Sequence, residues 1–241
     1  MYSELIIAIF SGLGGMLGWG LADLFAKKTI DEIGDITTLA WGHIFGTIVL
    51  LIVTLFNVQL TGNAVKLSLG INNWILLTIF GVIQAFVYLL VYIGFGKGKI
   101  SILNPVFASF SGITALLSII FFDEIVNNFL LSGLAILFIG ILLISVDFNS
   151  LKFNKIGLSN IPGLREVGIA TIFAAFWTLY WDKFIGGKDW LVYTLLMYSF
   201  MTIAIVIFAK LKKLRLFSIN PSSWKYLILI GLFETIAYLA I

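Results

Sequence analysis

The feature that most constrains this chain is a series of long apolar segments separated by short polar joints. Eight such runs lie near residues 5–26, 37–56, 74–95, 100–122, 128–147, 166–185, 190–209 and 224–241. A helix needs roughly 20 mostly apolar residues to cross the hydrocarbon core of a bilayer. Each run therefore predicts one membrane-spanning helix, and the short joints predict that neighbouring helices pack up and down.

Composition supports lipid as the solvent for most of these residues. Hydrophobic residues make up 61% of the chain and charged residues only 11%, whereas a soluble domain has roughly 25% charged residues. Membrane-spanning strands would be about 10 residues long and would alternate in polarity, which these runs do not. The expected fold class is an all-α polytopic membrane helix bundle of eight transmembrane helices, in a multi-pass protein of the cell membrane.

Several classes of function are excluded by the same composition. The chain has no cysteine and one histidine, which rules out thiolate chemistry and histidine metal clusters. Its basic residues are scattered between apolar runs, so we expect no nucleic-acid partner. The sequence offers no nucleotide loop, zinc motif or nucleophile motif. We therefore expect no cofactor and no enzymatic activity.

Two of the apolar runs are similar to each other without gaps. The run "NNWILLTIFGVIQAFVYLLV" aligns with "SSWKYLILIGLFETIAYLAI", so that Trp74, Gly81, Gln84 and Tyr88 match Trp224, Gly231, Glu234 and Tyr238. A weaker match joins "GWGLAD" in the first run to "FWTLYWD" in the sixth. These matches predict a first five-helix repeat over residues 1–148, a linker over 149–165 and a partial second repeat over 166–241.

A repeat with five crossings must enter the membrane a second time in the opposite orientation. Lysine and arginine prefer cytoplasmic joints, and 12 of the 15 basic residues fall in the odd-numbered joints of this chain. This bias fits two inverted repeats with the second one truncated, and taken literally it places the N-terminus outside. Inverted repeats are typical of secondary transporters, whose substrate site lies near the midplane between the repeats.

The segment from Gln84 to Val146 resembles the third to fifth helices of EamA-type members of the drug/metabolite transporter superfamily. It has a short Gly/Lys turn, Pro105 early in the fourth helix, the acidic pair Asp123–Glu124 at the next turn and a glycine-rich fifth helix. The start "GWGLADLFAKK" resembles the first helix of that family. The resemblance implies ten helices in two inverted halves, so the last two helices would be missing here. Asp123–Glu124 is interpreted as structural.

Glu234 is the candidate site residue set deepest in an apolar run. Ionisable groups inside a membrane are costly and usually face a cavity or a partner, so Glu234 is expected to bind a substrate amine or a proton, or else to make a structural hydrogen bond. Burial favours the neutral form of a carboxyl group, which would let it carry a proton near neutral pH. Its repeat mate Gln84 is uncharged, and Tyr88 and Tyr238 share the helix faces of Gln84 and Glu234.

Further candidates lie in the first, fourth and sixth runs. Trp19 and Asp23 are one turn apart on one helix face, although Asp23 could instead pair with Lys27. Trp177 and Tyr180 belong to the aromatic group of the sixth run. Asn104 precedes Pro105, which cannot donate to the i−4 carbonyl and so leaves a backbone carbonyl for a neighbour or ligand.

The expected function is secondary transport of a small polar metabolite by alternating access, with proton coupling as one option. The alternatives are a non-transporting or truncated membrane scaffold and, less favoured, an intramembrane enzyme. The expected partners are a small-molecule metabolite, the lipid bilayer and, in a coupled mechanism, protons. Homo-oligomer formation is left open, and His43 is interpreted as a contact between helices and not as a ligand.

Overall fold

The computed structural model describes residues 2–61, 69–122, 127–145 and 161–240, which are almost entirely α-helical and contain no strand. The helices are α1 (Tyr2–Ile33), α2 (Asp35–Thr61), α3 (Ile71–Lys97), α4 (Ile100–Ala108), α5 (Phe110–Phe122), α6 (Asn128–Ser145), α7 (Leu164–Ile185), α8 (Trp190–Leu211) and α9 (Trp224–Ala240). The all-α prediction is therefore confirmed. The Asp123–Glu124 pair and residues 149–160 of the expected linker lie outside the described residues.

Six helical segments among these residues are long and apolar enough to cross a membrane. They are Ile9–Ile33, Asp35–Thr61, Ile71–Lys97, Ile100–Phe122, Trp190–Leu211 and Pro221–Ala240. The expected fifth span contributes a shorter apolar helix, Leu131–Ile141. The expected sixth span forms α7, a 22-residue helix whose apolar character is interrupted by Glu166 near its start and Lys183 near its end. The count of eight crossings thus stays a prediction.

Local chemistry accounts for the helix ends. Gly34 adopts a φ of 89° between α1 and α2, a conformation that glycine reaches without steric cost, and its N–H donates to the carbonyl of Ile30 at 2.9 Å. Asp189 caps α8 by accepting a hydrogen bond from the N–H of Val192. The fourth apolar run divides at Ser109 into α4 and α5, and the N–H of Ser109 donates to the carbonyl of Pro105 at 3.2 Å.

The chain divides into two compact units. Unit 1 comprises Met1–Ala85 and Lys188–Ile241, with α1, α2, the first part of α3, α8 and α9. Within it, α2 packs against α1, α8 and α9, and α1 packs extensively against α9. Gly14 of α1 lies against Ala240 and Gly18 against Ala237, so α1 and α9 run antiparallel.

Unit 2 comprises Phe86–Gly187, with the second part of α3 and helices α4 to α7. Helix α7 packs against both α4 and α5. Thr171 of α7 donates a hydrogen bond to the carbonyl of Val106 at 3.3 Å, and Thr114 of α5 donates to the carbonyl of Ala175 at 3.2 Å. Contacts from hydroxyl groups to backbone carbonyls are common between membrane helices.

Both units expose large apolar side chains. Phe10 in unit 1 is 70% exposed and Ile120 in unit 2 is 69% exposed. Water would penalise such a surface, whereas the hydrocarbon core of a bilayer does not. The exposed side chains therefore agree with the apolar spans in identifying a multi-pass membrane protein.

The compact units do not follow the boundaries of the expected repeats. Helices α8 and α9 belong to the expected second repeat, yet they pack with α1 and α2 of the first. A repeat is defined by similarity and a unit by packing, so the repeat boundaries 1–148, 149–165 and 166–241 and their inverted relationship stay predictions. A Cβ at Gly18 of α1 would lie 2.8 Å from the Cβ of Ala237, so the glycine lets α1 and α9 pack closely.

Replacing Gly231 by alanine should destabilise unit 1. A Cβ at Gly231 would lie 2.7 Å from the backbone of Phe45, and overpacking of this kind typically costs about 1–3 kcal/mol. Gly20→Ala is the matched control, since a Cβ at Gly20 would meet nothing within 4 Å and alanine favours helix by about 1 kcal/mol. Thermal unfolding of the purified variants in detergent should give a lower Tm for Gly231→Ala only. Equal Tm values for the two variants would contradict this packing.

Candidate functional site

Glu234 lies in the middle of α9, and only 2% of its surface is exposed. Neither of its carboxylate oxygens has a hydrogen-bond partner within the described part of the chain. Its Oε1 atom lies 3.4 Å from Nε2 of His43 on α2, which is within ion-pair distance. Because a buried charge is costly unless it is paired, the facing imidazole ring is the main electrostatic feature of this site.

The absence of a side chain at Gly231 lets α2 and α9 approach closely enough for this contact, while a Cβ at Gly46 would meet the Tyr198 side chain of α8. Gly46 lies one turn after His43, and Gly231 lies one turn before Glu234. A Cβ on Gly231 would clash with the backbone of Phe45 and Gly46. Thr235, next to Glu234, donates a hydrogen bond to the carbonyl of Gly46 at 3.2 Å. The spacing of Gly231, Glu234 and Thr235 puts all three on the α9 face that contacts α2.

Aromatic rings extend the site from the histidine to α1. Tyr198 of α8 stacks on the His43 ring with centroids 5.3 Å apart and an interplanar angle of 14°. Tyr238 meets both Tyr198 and Trp19 edge-on, with centroids 5.7 Å apart in each pair. Gln84 Nε2 donates to the Tyr238 hydroxyl at 3.4 Å. We call the set of Trp19, His43, Gln84, Tyr198, Glu234 and Tyr238 the Glu234 cluster.

The Glu234 cluster carries buried polar atoms that lack a partner. Among the described residues, the indole N–H of Trp19 and the Oε1 atom of Gln84 make no hydrogen bond, like both oxygens of Glu234. Native proteins satisfy most buried polar atoms, so each exception calls for an explanation such as a water, an ion or a ligand. The Glu234 cluster thus contains both donor and acceptor atoms that are buried and have no hydrogen-bond partner among the described residues.

Four of the nine sequence-predicted site residues belong to this cluster, namely Trp19, Gln84, Glu234 and Tyr238. Asp23 of α1 is half-buried. Lys27, considered as its partner, forms an i,i+4 ion pair with Asp31 at 2.8 Å. A binding role for Asp23 stays a prediction.

The other four predicted residues lie in unit 2. Tyr88 is buried and packs edge-on against Phe107 with centroids 6.5 Å apart. Trp177 is buried and stacks on Trp181 at 5.3 Å with an interplanar angle of 13°. Asn104 is half-buried and Tyr180 is 51% exposed. Their proposed contacts with a substrate stay predictions.

His43 and Tyr198 were missed as site residues. His43 does join two helices, as expected, but it also faces the buried carboxylate. Its position as the single histidine inside an apolar run was a usable indication, because an intramembrane histidine is as noteworthy as an intramembrane glutamate. Tyr198 lies in a run with several aromatic residues, and nothing in its spacing distinguishes it from them.

Chemically, the cluster can hold and move a proton between a carboxylate and an imidazole, and it can offer hydrogen bonds and aromatic faces to a polar molecule. Among the described residues no group of three or more His, Cys, Asp or Glu side chains could hold a metal ion. A separate surface hollow in unit 2 is lined by Lys97 and residues 161–166. Lys97 and Glu166 form an ion pair of 2.6 Å there.

Comparison with known proteins identifies the family. No curated protein matched the chain. Residues 6–146 match the EamA-like transporter family, and this region covers more than half of the 241 residues. It includes α1 and α2 of the Glu234 cluster, and its apolar helices agree with a membrane protein. The chain therefore belongs to the EamA-like transporter family, and it is a membrane transporter of the drug/metabolite transporter type.

Proposed function

We propose that this chain is a secondary transporter that moves a small polar metabolite by alternating access and couples this movement to protons through Glu234. The observation that carries the proposal is the buried Glu234 carboxyl group, which faces His43 and has no hydrogen-bond partner among the described residues. A charge placed at this depth is expensive, so intramembrane acids are usually retained for binding or proton transfer.

The polar character of the proposed substrate follows from the groups left without partners. The Trp19 indole can donate a hydrogen bond, while Gln84 Oε1 and the Glu234 carboxylate can accept one. A metabolite with both donors and acceptors would satisfy this set, whereas a purely apolar molecule would leave it unsatisfied. Tyr238 is proposed to position such a substrate between Trp19 and Gln84. Tyr88, Asn104, Trp177, Tyr180 and Asp23 are proposed as further substrate-binding residues.

Alternating access needs two halves that can exchange roles, and packing within unit 1 supports such a relationship. Gly81 of α3 and Gly231 of α9 are repeat mates. Gly81 lies against the backbone of Met197 on α8, and Gly231 lies against the backbone of Phe45 on α2. In two inverted repeats, the third helix of each copy would meet the second helix of the other in this way.

The transport activity of the Glu234→Gln variant tests the proposed coupling to protons. We expect the variant, reconstituted in liposomes, to lose the stimulation of metabolite uptake by a pH gradient, because a glutamine cannot exchange a proton. Glu32→Gln is the matched control: Glu32 is exposed in the same unit, and a glutamine can still accept the hydrogen bond from Ser223. Uptake of radiolabelled metabolites is measured with and without a pH gradient, and counterflow is measured separately without one. An unchanged pH response in Glu234→Gln would refute the coupling, and absence of counterflow by the wild type across a broad metabolite panel would favour a scaffold.

The number and direction of crossings can be measured directly, because the chain has no cysteine. Single cysteines replacing Lys99, Lys188 and Lys212 mark the joints before α4, before α8 and after α8. With eight crossings, an impermeant maleimide should label positions 99 and 212 from one side of the membrane and position 188 from the other. Labelling of positions 99 and 212 from opposite sides would contradict the eight-helix arrangement.

A further inference from the structure

We infer that His43 and Glu234 together hold one shared proton, so that the pair forms a single proton site. The first observation is the orientation of the imidazole ring. Its Nδ1 atom lies 3.0 Å from the backbone carbonyl of Leu39. A carbonyl oxygen can only accept, so Nδ1 must carry a hydrogen. The hydrogen bond to Leu39 thereby selects the tautomer.

This tautomer determines what Nε2 can do toward Glu234. In a neutral ring with hydrogen on Nδ1, Nε2 has a lone pair and no hydrogen. Nε2 lies 3.4 Å from Glu234 Oε1. If neither Nε2 nor Oε1 carried a proton, the Nε2 lone pair would face a carboxylate in a buried site, which is unfavourable. If both carried one, the imidazolium would be a buried positive charge facing a neutral carboxyl group, which is also costly.

One proton between the two atoms resolves the conflict. It can reside on Oε1, where the carboxyl group donates to Nε2, or on Nε2, where the imidazolium donates to the carboxylate. Transfer from Oε1 to Nε2 breaks one O–H bond and forms one N–H bond, and the total charge of the pair stays zero. A site with zero net charge is far less costly in a membrane than an isolated carboxylate.

The surroundings favour sharing of the proton between the two groups. The Tyr198 ring lies parallel to the imidazole, and an aromatic face stabilises a cation placed over it. Thr202 and Thr47 hold α2 in position, since the Thr202 hydroxyl lies 3.3 Å from the carbonyl of His43 and 2.8 Å from the Thr47 hydroxyl. The other ionisable groups whose side chains the structure describes on α1, α2, α8 and α9 are Asp23, Lys27, Lys28, Asp31, Glu32, Asp35, Tyr193, Tyr198, Lys210, Lys225, Tyr226 and Tyr238.

The shared proton adds a proton site to the proposed function. The inference itself rests on the geometry of the pair, and only its effect on transport rests on the proposed function. If the pair is one site, then removing either member removes it. His43→Gln keeps a polar group near the position of Nε2 but cannot become a cation. We therefore expect His43→Gln and Glu234→Gln to lose the same pH response of uptake.

Spectroscopy on the resting protein tests the inference without any transport assay. The chain holds a single histidine, so ¹⁵N-histidine labelling of protein carrying a non-histidine tag reports on His43 alone. Infrared difference spectra between wild type and Glu234→Gln report whether Glu234 is protonated. At pH 7 we expect a protonated Nδ1 together with one further proton, seen either as imidazolium with ionised Glu234 or as neutral imidazole with protonated Glu234. Glu32→Gln should leave the ¹⁵N-histidine spectrum and the infrared bands of Glu234 unchanged.

Three spectroscopic results would overturn the inference: an Nδ1 without hydrogen, a neutral imidazole beside an ionised Glu234, or an imidazolium beside a protonated Glu234. A shared proton combined with normal pH-driven uptake in Glu234→Gln would leave the inference standing and refute the proposed coupling. Uptake that loses its pH response in Glu234→Gln but retains it in His43→Gln would refute the role of His43 in that coupling.

Discussion

The contact between α2 and α9 at Gly46 and Gly231 is the constraint on which the rest of unit 1 depends. Gly231 has no side chain that would hold the two helix backbones apart, and its place lies against the backbone of Phe45 and Gly46. This proximity brings His43 on one helix to 3.4 Å from Glu234 on the other. A glutamate at this depth is tolerable because a proton-accepting ring faces it, and the ring can face it because the helices are so close.

The membrane explains why these polar groups are informative. In a soluble protein, a buried Glu–His contact would be one of many polar interactions and would not by itself indicate a functional site. In a chain with 61% hydrophobic and 11% charged residues, each polar group placed inside a span adds a desolvation cost that packing must offset. Trp19, Gln84 and Glu234 all keep buried polar atoms without hydrogen-bond partners in the described residues. Their cost is consistent with a cluster that serves binding more than stability.

Much of the fold could be predicted because the period and length of apolar runs directly reflect the thickness of a bilayer. The repeat match between Gln84 and Glu234 also drew attention to two residues that the structure buries. The pairing of Glu234 with His43 could not be predicted, since it depends on which helix packs on α9, and that choice is made by tertiary contacts of small residues. The division of the fourth run at Ser109 could not be predicted either, because the hydrogen bond that Pro105 removes belongs to the turn before it and not to the turn at Ser109.

The central claim is that His43 and Glu234 touch inside the membrane, and a distance measurement in lipid tests it most directly. Protein with ¹⁵N-labelled histidine and ¹³C-labelled glutamate carboxyl groups, reconstituted in liposomes, allows the dipolar coupling between His43 Nε2 and glutamate carboxyl carbons to be recorded by solid-state NMR. A separation of 3.4 Å between Nε2 and Oε1 predicts a strong coupling in the wild type that disappears in Glu234→Gln. Absence of that coupling in the wild type, or its persistence in Glu234→Gln, would contradict the account.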